Sequence, residues 1–229
     1  MHQIKPYDSY HFGSLSEIGD HQLKQLIRCF SLPKKSVHSA LGGRTSITVT
    51  RIQDIGSVVI KHYRRGGAIR YLIKKRYLKW GKTRCQIEFE LLQKVRSFGI
   101  NAPEPVAFAY RGRLFYQCWL VTREIQNHQT LAQLSCSDKE QARMAMKAVI
   151  KQVTMLIKNK ILHADLHPGN VIVDNQNQVY LLDFDKGGIF HRNKNALRTR
   201  YLHRWNRAIQ KHGLPEILSQ VNGFNPLSQ

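Results

Sequence analysis

Two spacings of apolar residues alternate along this chain, one typical of helices and the other typical of strands. Apolar residues recur three or four positions apart in several segments, which predicts helices over about 20–30, 84–98, 137–160 and 195–211. Shorter runs of β-branched and aromatic residues predict strands within 36–63, at 105–110 and 114–122, and on both sides of a turn at 174–177. Residues 1–13 show neither spacing and are predicted to be an irregular lead-in. This mixture predicts an α+β fold.

Two of the predicted helices have candidate caps at their N-termini. Asp20 precedes the apolar stripe of the first helix, and Ser137 with Glu140 forms the S-x-x-E pattern of a capping box before the third. Met146 lies on the apolar stripe of that third helix and is predicted to be a core residue rather than a metal ligand. The second helix is predicted to bury one stripe, made of Ile87, Leu91, Leu92, Val95 and Phe98.

Glu88 lies on the apolar side of the second predicted helix. It precedes Leu91 and Leu92 by three and four positions and shares their face, whereas Glu90 lies with polar residues on the other side. A buried carboxylate requires a cationic partner to remain charged, and Lys61 at the end of a predicted strand is the candidate. We therefore predict a Lys61–Glu88 pair, with solvation of Glu88 at the helix surface as the alternative.

Basic residues greatly outnumber acidic ones. The chain contains 36 lysine and arginine residues against 15 acidic ones, a formal net charge of +21. Residues 61–84 contain ten of the basic residues and no acid, with tyrosines and a tryptophan between them. An excess of this size favours a polyanionic partner, which is nucleic acid, an anionic membrane surface or a phosphorylated substrate. For the segment itself, a solvated face is the alternative interpretation.

Length and cysteine content narrow the class of protein further. A chain of 229 residues makes one globular domain or two small lobes. Its four cysteines are widely separated and form no C-x-x-C pair, so neither zinc nor a disulfide framework is predicted and a reducing compartment is expected. The sequence shows no apolar leader and no long apolar run, so we expect neither a signal peptide nor a spanning helix, and a cytoplasmic protein.

The strongest indication of chemistry is the segment His163-Ala-Asp-Leu-His-Pro-Gly-Asn170, followed by Asp183-Phe-Asp185. Between them lie two predicted strands, which bring Asp183 back towards Asn170. An aspartate such as Asp165 can orient an attacking hydroxyl and accept its proton. Carboxylate and amide oxygens suit Mg²⁺, so Asn170 and Asp183 are predicted to be metal ligands. A chance set of polar loop residues is the alternative.

This H-x-D-x-x-x-x-N and D-F-D pattern resembles the catalytic segments of the protein-kinase-like superfamily. The resemblance implies a two-lobe fold, with a β-rich N-lobe containing one helix at 36–125 and a small helical C-lobe at 126–229. Residues 1–35 would form an N-terminal extension, and 64–84 a basic insert in the N-lobe.

The same layout implies how ATP and Mg²⁺ are bound. In kinases a Lys–Glu pair directs a lysine to the α- and β-phosphates, so Lys61 and Glu88 are assigned to ATP. Gly42 and Gly43 lie in a predicted hairpin turn where the backbone would approach the phosphates, although the full G-x-G-x-x-G is absent. Backbone groups of Glu124 and Ile125 would meet the adenine.

A narrower resemblance rests on the blocks Lys61-His-Tyr-Arg-Arg-Gly-Gly67, Glu88-Phe-Glu-Leu-Leu92, Ala102-Pro-Glu-Pro105 and Leu182-Asp-Phe-Asp-Lys-Gly187. These are similar to the 3-deoxy-D-manno-octulosonic acid (Kdo) kinases of the lipopolysaccharide kinase group. The resemblance implies transfer of the ATP γ-phosphate to a hydroxyl of Kdo on lipid A, by a peripheral protein on the cytoplasmic side of a Gram-negative inner membrane. Nucleic acid is then not expected as a partner, and the oligomeric state is not predicted. The acceptor and the anionic leaflet would be contacted by basic residues, namely Arg64, Arg65, Arg70, Lys74, Lys75 and Arg76.

Two other interpretations are compatible with the sequence. Only a short stretch follows Asp185, with no A-P-E motif, which argues against an ordinary protein kinase but is also true of small RIO-type kinases acting on an RNA-associated partner. A non-catalytic kinase fold that binds an anionic ligand is the other alternative. The complete set of Asp165, Asn170 and Asp183 argues against it, because a site without activity tolerates the loss of any one.

Overall fold

The structure is a computed structural model that describes residues 4–31, 35–38, 44–63, 77–78, 81–113, 115–219 and 224. These residues form two compact units. The first contains the described residues among 1–37, 44–90 and 104–124, and the second contains those among 38–43, 91–103 and 125–229. The fold is α+β, as predicted from the sequence.

The first unit is built around one sheet in which the strands do not follow the order of the sequence. In the described residues its path is β1-β2-β7-β8-β5-β4-β3, and β6 pairs with β8 beside that path. These strands are β1 (Lys5–Tyr7), β2 (Tyr10–Ser14), β3 (Lys35–His38), β4 (Arg44–Ile52), β5 (Gly56–His62), β6 (Tyr77–Leu78), β7 (Pro105–Arg111) and β8 (Phe115–Arg123). The neighbouring pairs β4–β5, β5–β8 and β7–β8 are antiparallel. These four strands lie in the segments where the sequence predicts strands.

The N-terminal residues are not the irregular lead-in that we predicted. β1 and β2 form a hairpin, and β2 continues the sheet by pairing with β7. Tyr10 and Phe12 are buried, with half-buried His11 between them, which is the alternation of a strand with one face on the core. This alternation covers too few residues to stand out in the sequence.

Helix α1 (Asp20–Phe30) packs on this sheet, and an apolar core forms between them. Leu23, Leu26 and Phe30 of the helix join buried residues of several strands, including Trp119, whose ring stacks on Phe30 with centroids 4.6 Å apart. The helix is capped at Gly19 rather than at Asp20, because the Gln22 side chain accepts the Gly19 N–H at 2.9 Å. Asp20 is instead the first helical residue.

Helix α2 (Arg84–Ser97) lies where the sequence predicts it, and Leu91, Leu92 and Val95 of the predicted stripe are buried. Cys85 and Phe89 are buried, whereas Ile87 is 47% exposed, so its assignment to the core was wrong. Ile87 lies two positions from each of them, and residues two apart face opposite sides of a helix. Glu88, next to Phe89, is buried as predicted.

The second unit is mainly helical, with two small sheets. Its helices are α3 (Leu131–Ser137), α4 (Lys139–Lys158) and α5 (Lys194–His212). One sheet has the order β12-β11-β9 and the other pairs β10 with β13. Their strands are β9 (His128–Thr130), β10 (Ile161–Leu162), β11 (Val171–Asp174), β12 (Val179–Leu181) and β13 (Gly188–Ile189).

The predicted capping box at Ser137 is wrong by one residue. Ser137 ends α3, and Asp138 caps α4 by accepting the Gln141 N–H at 2.9 Å. Ser137 and Glu140 had the right spacing, but the aspartate between them takes the capping position. The apolar stripe of α4 is placed as predicted, and Met146 is 1% exposed in the core.

Candidate active site

The loop from His163 to Asn170 joins β10 to β11 and is held by a buried imidazole. His163 is fully buried, and burial lowers its pKa to about 4, so the ring is neutral at physiological pH. Its Nδ1 accepts the Asp165 N–H at 3.2 Å, which leaves the proton on Nε2, 2.7 Å from the Leu182 carbonyl. His163 therefore connects the loop that contains Asp165 to the residue that precedes Asp183.

Asn170 and Asp183 lie at the same end of the β11–β12 hairpin. The strands pair Val171 with Leu181, and the next residues continue the ladder, since the Leu182 N–H donates to the Asn170 carbonyl at 2.8 Å. Asp183 has φ +62°, a left-handed backbone conformation that aspartate tolerates better than most residues. The hairpin thus brings together both residues that the sequence assigned to metal binding.

The side chains at this end of the hairpin offer carboxylate and amide oxygens, which are the ligand atoms that Mg²⁺ prefers. The side-chain N–H of Asn170 donates to the Asp165 carbonyl at 2.9 Å. The other end of this amide, the oxygen Oδ1, can only accept and is the atom that could bind a metal. Asp183 and Asp185 add carboxylates two residues apart. In the described part of the chain there is no cluster of three or more His, Cys, Asp or Glu side chains suited to a metal. A kinase-type Mg²⁺ does not require one, because phosphate oxygens and waters complete its coordination.

Asp165 is paired with a residue that the sequence analysis did not assign to the site. Arg204 of α5 donates to Asp165 Oδ1 from Nη2 at 2.5 Å and from Nε at 3.1 Å. His167 Nε2 lies 3.8 Å from the other carboxylate oxygen, and its Nδ1 accepts the Gly169 N–H. His167 and then Arg204 hold the pKa of Asp165 well below its usual range, against the opposing effect of partial burial.

Tyr201 was likewise not assigned to the site from the sequence. Like Arg204, Tyr201 lies on α5, far from the motif in sequence. Its hydroxyl accepts the His163 N–H at 2.8 Å and donates to the Ile161 carbonyl at 2.5 Å. Burial raises the pKa of Tyr201 above its usual range, which keeps the hydroxyl protonated and able to donate. Tyr201 and Arg204, three positions apart on one helix, therefore support the loop and its aspartate together.

In the first unit, Lys61 and Glu88 form the ion pair that the helix phase indicated. Lys61 Nζ lies 3.0 and 2.9 Å from the two Glu88 oxygens, and the Tyr63 hydroxyl also donates to Glu88. The Lys61 side chain is 17% exposed and that of Glu88 4%. Glu90 instead bonds Lys82 at 2.6 Å on the more exposed side of α2. The buried carboxylate has the partner that it requires.

Glu124 and Ile125 follow β8. The Glu124 N–H donates to the Ser57 carbonyl at 3.1 Å, and its side chain accepts the Ser57 hydroxyl. The Ile125 carbonyl lies 2.5 Å from His128 Nδ1. Within the described part of the chain, neither the Glu124 carbonyl nor the Ile125 N–H takes part in a hydrogen bond with another backbone group.

Several predicted residues fall outside the described part of the chain. These are the two turn glycines and the basic residues assigned to the acceptor and leaflet, namely Gly42, Gly43, Arg64, Arg65, Arg70, Lys74, Lys75 and Arg76.

The fold and the loop–hairpin site define the class of protein as kinase-like. The chain matches the model of the lipopolysaccharide kinase (Kdo/WaaP) family over residues 29–218, and it belongs to that family. This assignment confirms the resemblance seen in the sequence and favours it over the RIO-type alternative.

Curated relatives agree with this assignment. The chain is 34% identical over 155 residues to a 3-deoxy-D-manno-octulosonic acid kinase of Vibrio vulnificus, covering 66% of this chain and 64% of that protein. Proteins with the same name match from Photobacterium profundum, at 32% over 179 residues (75% and 73%), and from Xylella fastidiosa, at 29% over 151 residues (65% and 59%). The chain thus spans less than two thirds of the Vibrio and Xylella proteins. Among the described residues, no helix is long and apolar enough to cross a membrane.

The Arg204 contact predicts how Asp165 titrates. Arg204→Gln should raise the pKa of Asp165 towards the ordinary value of about 4, because the ionised carboxylate loses its nearest cation. The pair stabilises the folded chain above that pH, and this contribution is lost as pH falls through the lowered pKa. Carboxyl ¹³C NMR titration measures the shift. Arg207→Gln, three positions along α5, is the control, and equal shifts in both variants would contradict a direct contact.

Proposed function

We propose that this protein is an ATP-dependent kinase that phosphorylates a hydroxyl of Kdo attached to lipid A. The observation that supports this most is the arrangement of three polar residues. Asp165 lies on the loop held by the buried His163, and Asn170 and Asp183 lie at one end of the β11–β12 hairpin. Family membership and the names of the relatives supply the acceptor class.

In this proposal Asp165 orients the acceptor hydroxyl and accepts its proton. The hydroxyl oxygen forms a bond to the γ-phosphorus of ATP while the bond from that phosphorus to the β–γ bridging oxygen breaks, and ADP leaves. The proton passes to the Asp165 carboxylate and then to solvent. Because the pKa of Asp165 is lowered, the carboxylate is ionised and ready to accept at physiological pH.

Asn170 and Asp183 would hold Mg²⁺, which supplies positive charge to the phosphate oxygens during transfer. Lys61 would contact the α- and β-phosphates while Glu88 fixes the direction of its side chain. The Glu124 carbonyl and the Ile125 N–H would accept from and donate to the adenine. Gly42 and Gly43 would allow close approach of the backbone to the phosphates.

We place the protein on the cytoplasmic side of a Gram-negative inner membrane, as a peripheral protein. The formal charge of +21 supports this, because an anionic leaflet attracts basic segments. The basic insert at 64–84 would contact the leaflet and the acceptor, and nucleic acid is not expected as a partner.

The first test of this function is acceptor phosphorylation from γ-labelled ATP with Mg²⁺ and a Kdo–lipid A precursor. Asp165→Ala should reduce kcat by roughly 10²–10⁴, the usual contribution of a positioned base. Asn170→Ala and Asp183→Asn should instead require more Mg²⁺, and raising Mg²⁺ should partly restore their rates. Near-wild-type turnover in the first variant removes Asp165 from the mechanism, and an unchanged Mg²⁺ dependence removes the metal assignment.

A second test separates the two acidic residues of α2. Glu88→Gln should raise the KM for ATP or lower kcat, because Lys61 loses the charge that holds it. Glu90→Gln removes only a partly exposed pair with Lys82 and should leave both parameters within about twofold, since such pairs contribute about 1 kcal/mol or less. Equal effects on ATP kinetics would exclude a specific role for the Lys61–Glu88 pair.

A third test concerns the basic insert. Neutralising Arg64, Arg65, Lys74, Lys75 and Arg76 together should release the protein from anionic vesicles, since each basic side chain near such a surface contributes about 1 kcal/mol. Turnover on lipid-embedded acceptor should fall with it, while slow ATP hydrolysis without acceptor persists. Added salt should have the same effect, because the attraction decays over about 8 Å at physiological ionic strength. Loss of RNA binding with intact vesicle binding would favour the RIO-type alternative.

A further inference from the structure

A cavity beside Asp165 in the second unit is lined mainly by one side of helix α5. Its volume is about 970 Å³, near the upper end of the usual range of small-molecule sites of roughly 300–1,000 Å³. Its lining contains five cationic residues, Arg192, Arg200, Arg204, Arg207 and Lys211, together with three histidines. Asp165 is the only acid among the described lining residues. The catalytic aspartate thus forms part of the wall of a strongly cationic cavity.

Four of the five cations of this cavity have no acidic partner in the part of the chain that the structure describes. Arg204 is bonded to Asp165, but no carboxylate lies within 4.0 Å of Arg192, Arg200, Arg207 or Lys211 in the described part of the chain. Arg200, Arg204, Arg207 and Lys211 recur three or four positions apart, so they form one stripe on α5. Like charges at this spacing repel and destabilise a helix. An anion in the cavity would remove that repulsion.

A merely solvated helix face does not explain this distribution. The exposed positions of α5 outside the cavity lining are Lys194, Asn195, Asn206 and Gln210, of which only Lys194, the first residue of the helix, is charged. The other cation of α5 outside the lining, Arg198, is half-buried and donates to the Phe224 carbonyl. The helix dipole favours cations only in the last turn, where Lys211 lies, whereas Arg200 and Arg204 are in the middle of the helix. Charge is therefore concentrated on the side of α5 that faces the cavity.

We propose that this cavity binds the anionic part of the acceptor, a sugar acid carrying carboxylate or phosphate groups, and thereby selects the hydroxyl that meets Asp165. The proposal rests on the proposed kinase function and assigns its acceptor site to α5. Guanidinium groups bind carboxylates and phosphates through paired N–H donors, and Arg200 and Arg207 present such groups without a competing carboxylate.

Arg204 is the positioning residue in this arrangement. Its Nε and one Nη2 N–H are directed at Asp165 Oδ1, and the guanidinium has five N–H donors in all. The remaining donors are available to an anion in the cavity. Arg204 therefore connects the charge of the acceptor to the carboxylate that takes its proton.

Direct binding tests the proposal separately from catalysis. The probe is the deacylated backbone of Kdo–lipid A, which keeps the carboxylate and the sugar phosphates but cannot partition into a membrane. Its affinity is measured by titration calorimetry at fixed ionic strength for wild type and for the double variant Arg200→Gln/Arg207→Gln. The matched control is Arg28→Gln/Arg51→Gln, which removes the same charge from exposed positions of the first unit.

We expect the cavity variant to bind the probe at least tenfold more weakly and the control to match wild type. Arg200→Lys/Arg207→Lys should fall between them, because charge is kept but paired donation is lost. In turnover, the cavity variant should raise the KM for the deacylated acceptor while the KM for ATP stays the same, which also shows that it is folded.

Three outcomes would overturn the assignment. One is equal affinity of the two Gln double variants for the probe, and a second is an unchanged acceptor KM in the cavity variant. The third is inorganic phosphate binding as tightly as the probe, which would make the cavity a non-specific anion site. Probe binding that needs Arg200 and Arg207 without any phosphorylation would instead leave the cavity assignment intact and remove the proposed kinase function.

Discussion

The geometry of the candidate site depends on one buried, neutral imidazole. His163 accepts from the backbone of Asp165 and donates to the carbonyl of Leu182, so it fixes the position of one acidic segment relative to the other. A protonated ring could not accept the Asp165 N–H, and burial prevents that protonation by lowering the pKa to about 4. The burial of His163 therefore keeps both hydrogen bonds in place, and with them the backbone that precedes Asp183 stays next to the backbone of Asp165. Tyr201 completes this support by holding the His163 backbone from α5.

Two acidic residues, one in each unit, are paired with a basic residue in different surroundings. Glu88 is buried and holds Lys61, whereas Asp165 is partly exposed and is held by Arg204. The physical consequences differ. Breaking the buried pair would leave a charge with little access to solvent, whereas the groups of the exposed pair are already in contact with water. In the second arrangement Arg204 can stay bonded to Asp165 while its other N–H donors contact a substrate anion.

The parts of this site that were predictable from the sequence are those set by local spacing. The loop from His163 to Asn170 and the hairpin to Asp183 are contiguous, so turn and strand patterns place them. The Lys61–Glu88 pair followed from helix phase, because a glutamate on a buried face requires a cation. Arg204 and Tyr201 could not be found in this way, since only the packing of α5 against the loop brings them near. The basic residues of α5 are visible in the sequence. The cavity that they line beside Asp165 is not, because it depends on the packing of α5 against the loop. The capping residue of α4 was predicted wrongly because two adjacent residues can both act as an N-cap, and Asp138 rather than Ser137 takes that position.

Lowering the pKa of a carboxylate weakens it as a base, so the pairing of Arg204 with Asp165 acts against a role of Asp165 as proton acceptor. In phosphoryl transfer the conflict is small, because the transition state is loose and the acceptor hydroxyl loses its proton late. Under those conditions a carboxylate contributes mainly by orienting the hydroxyl, and orientation requires that it be ionised and fixed. Arg204 provides both, through two donors to one oxygen that leave the second carboxylate oxygen facing His167. The α5 arginine is thus compatible with catalysis by Asp165, and its position links the aspartate to the cationic cavity beside it.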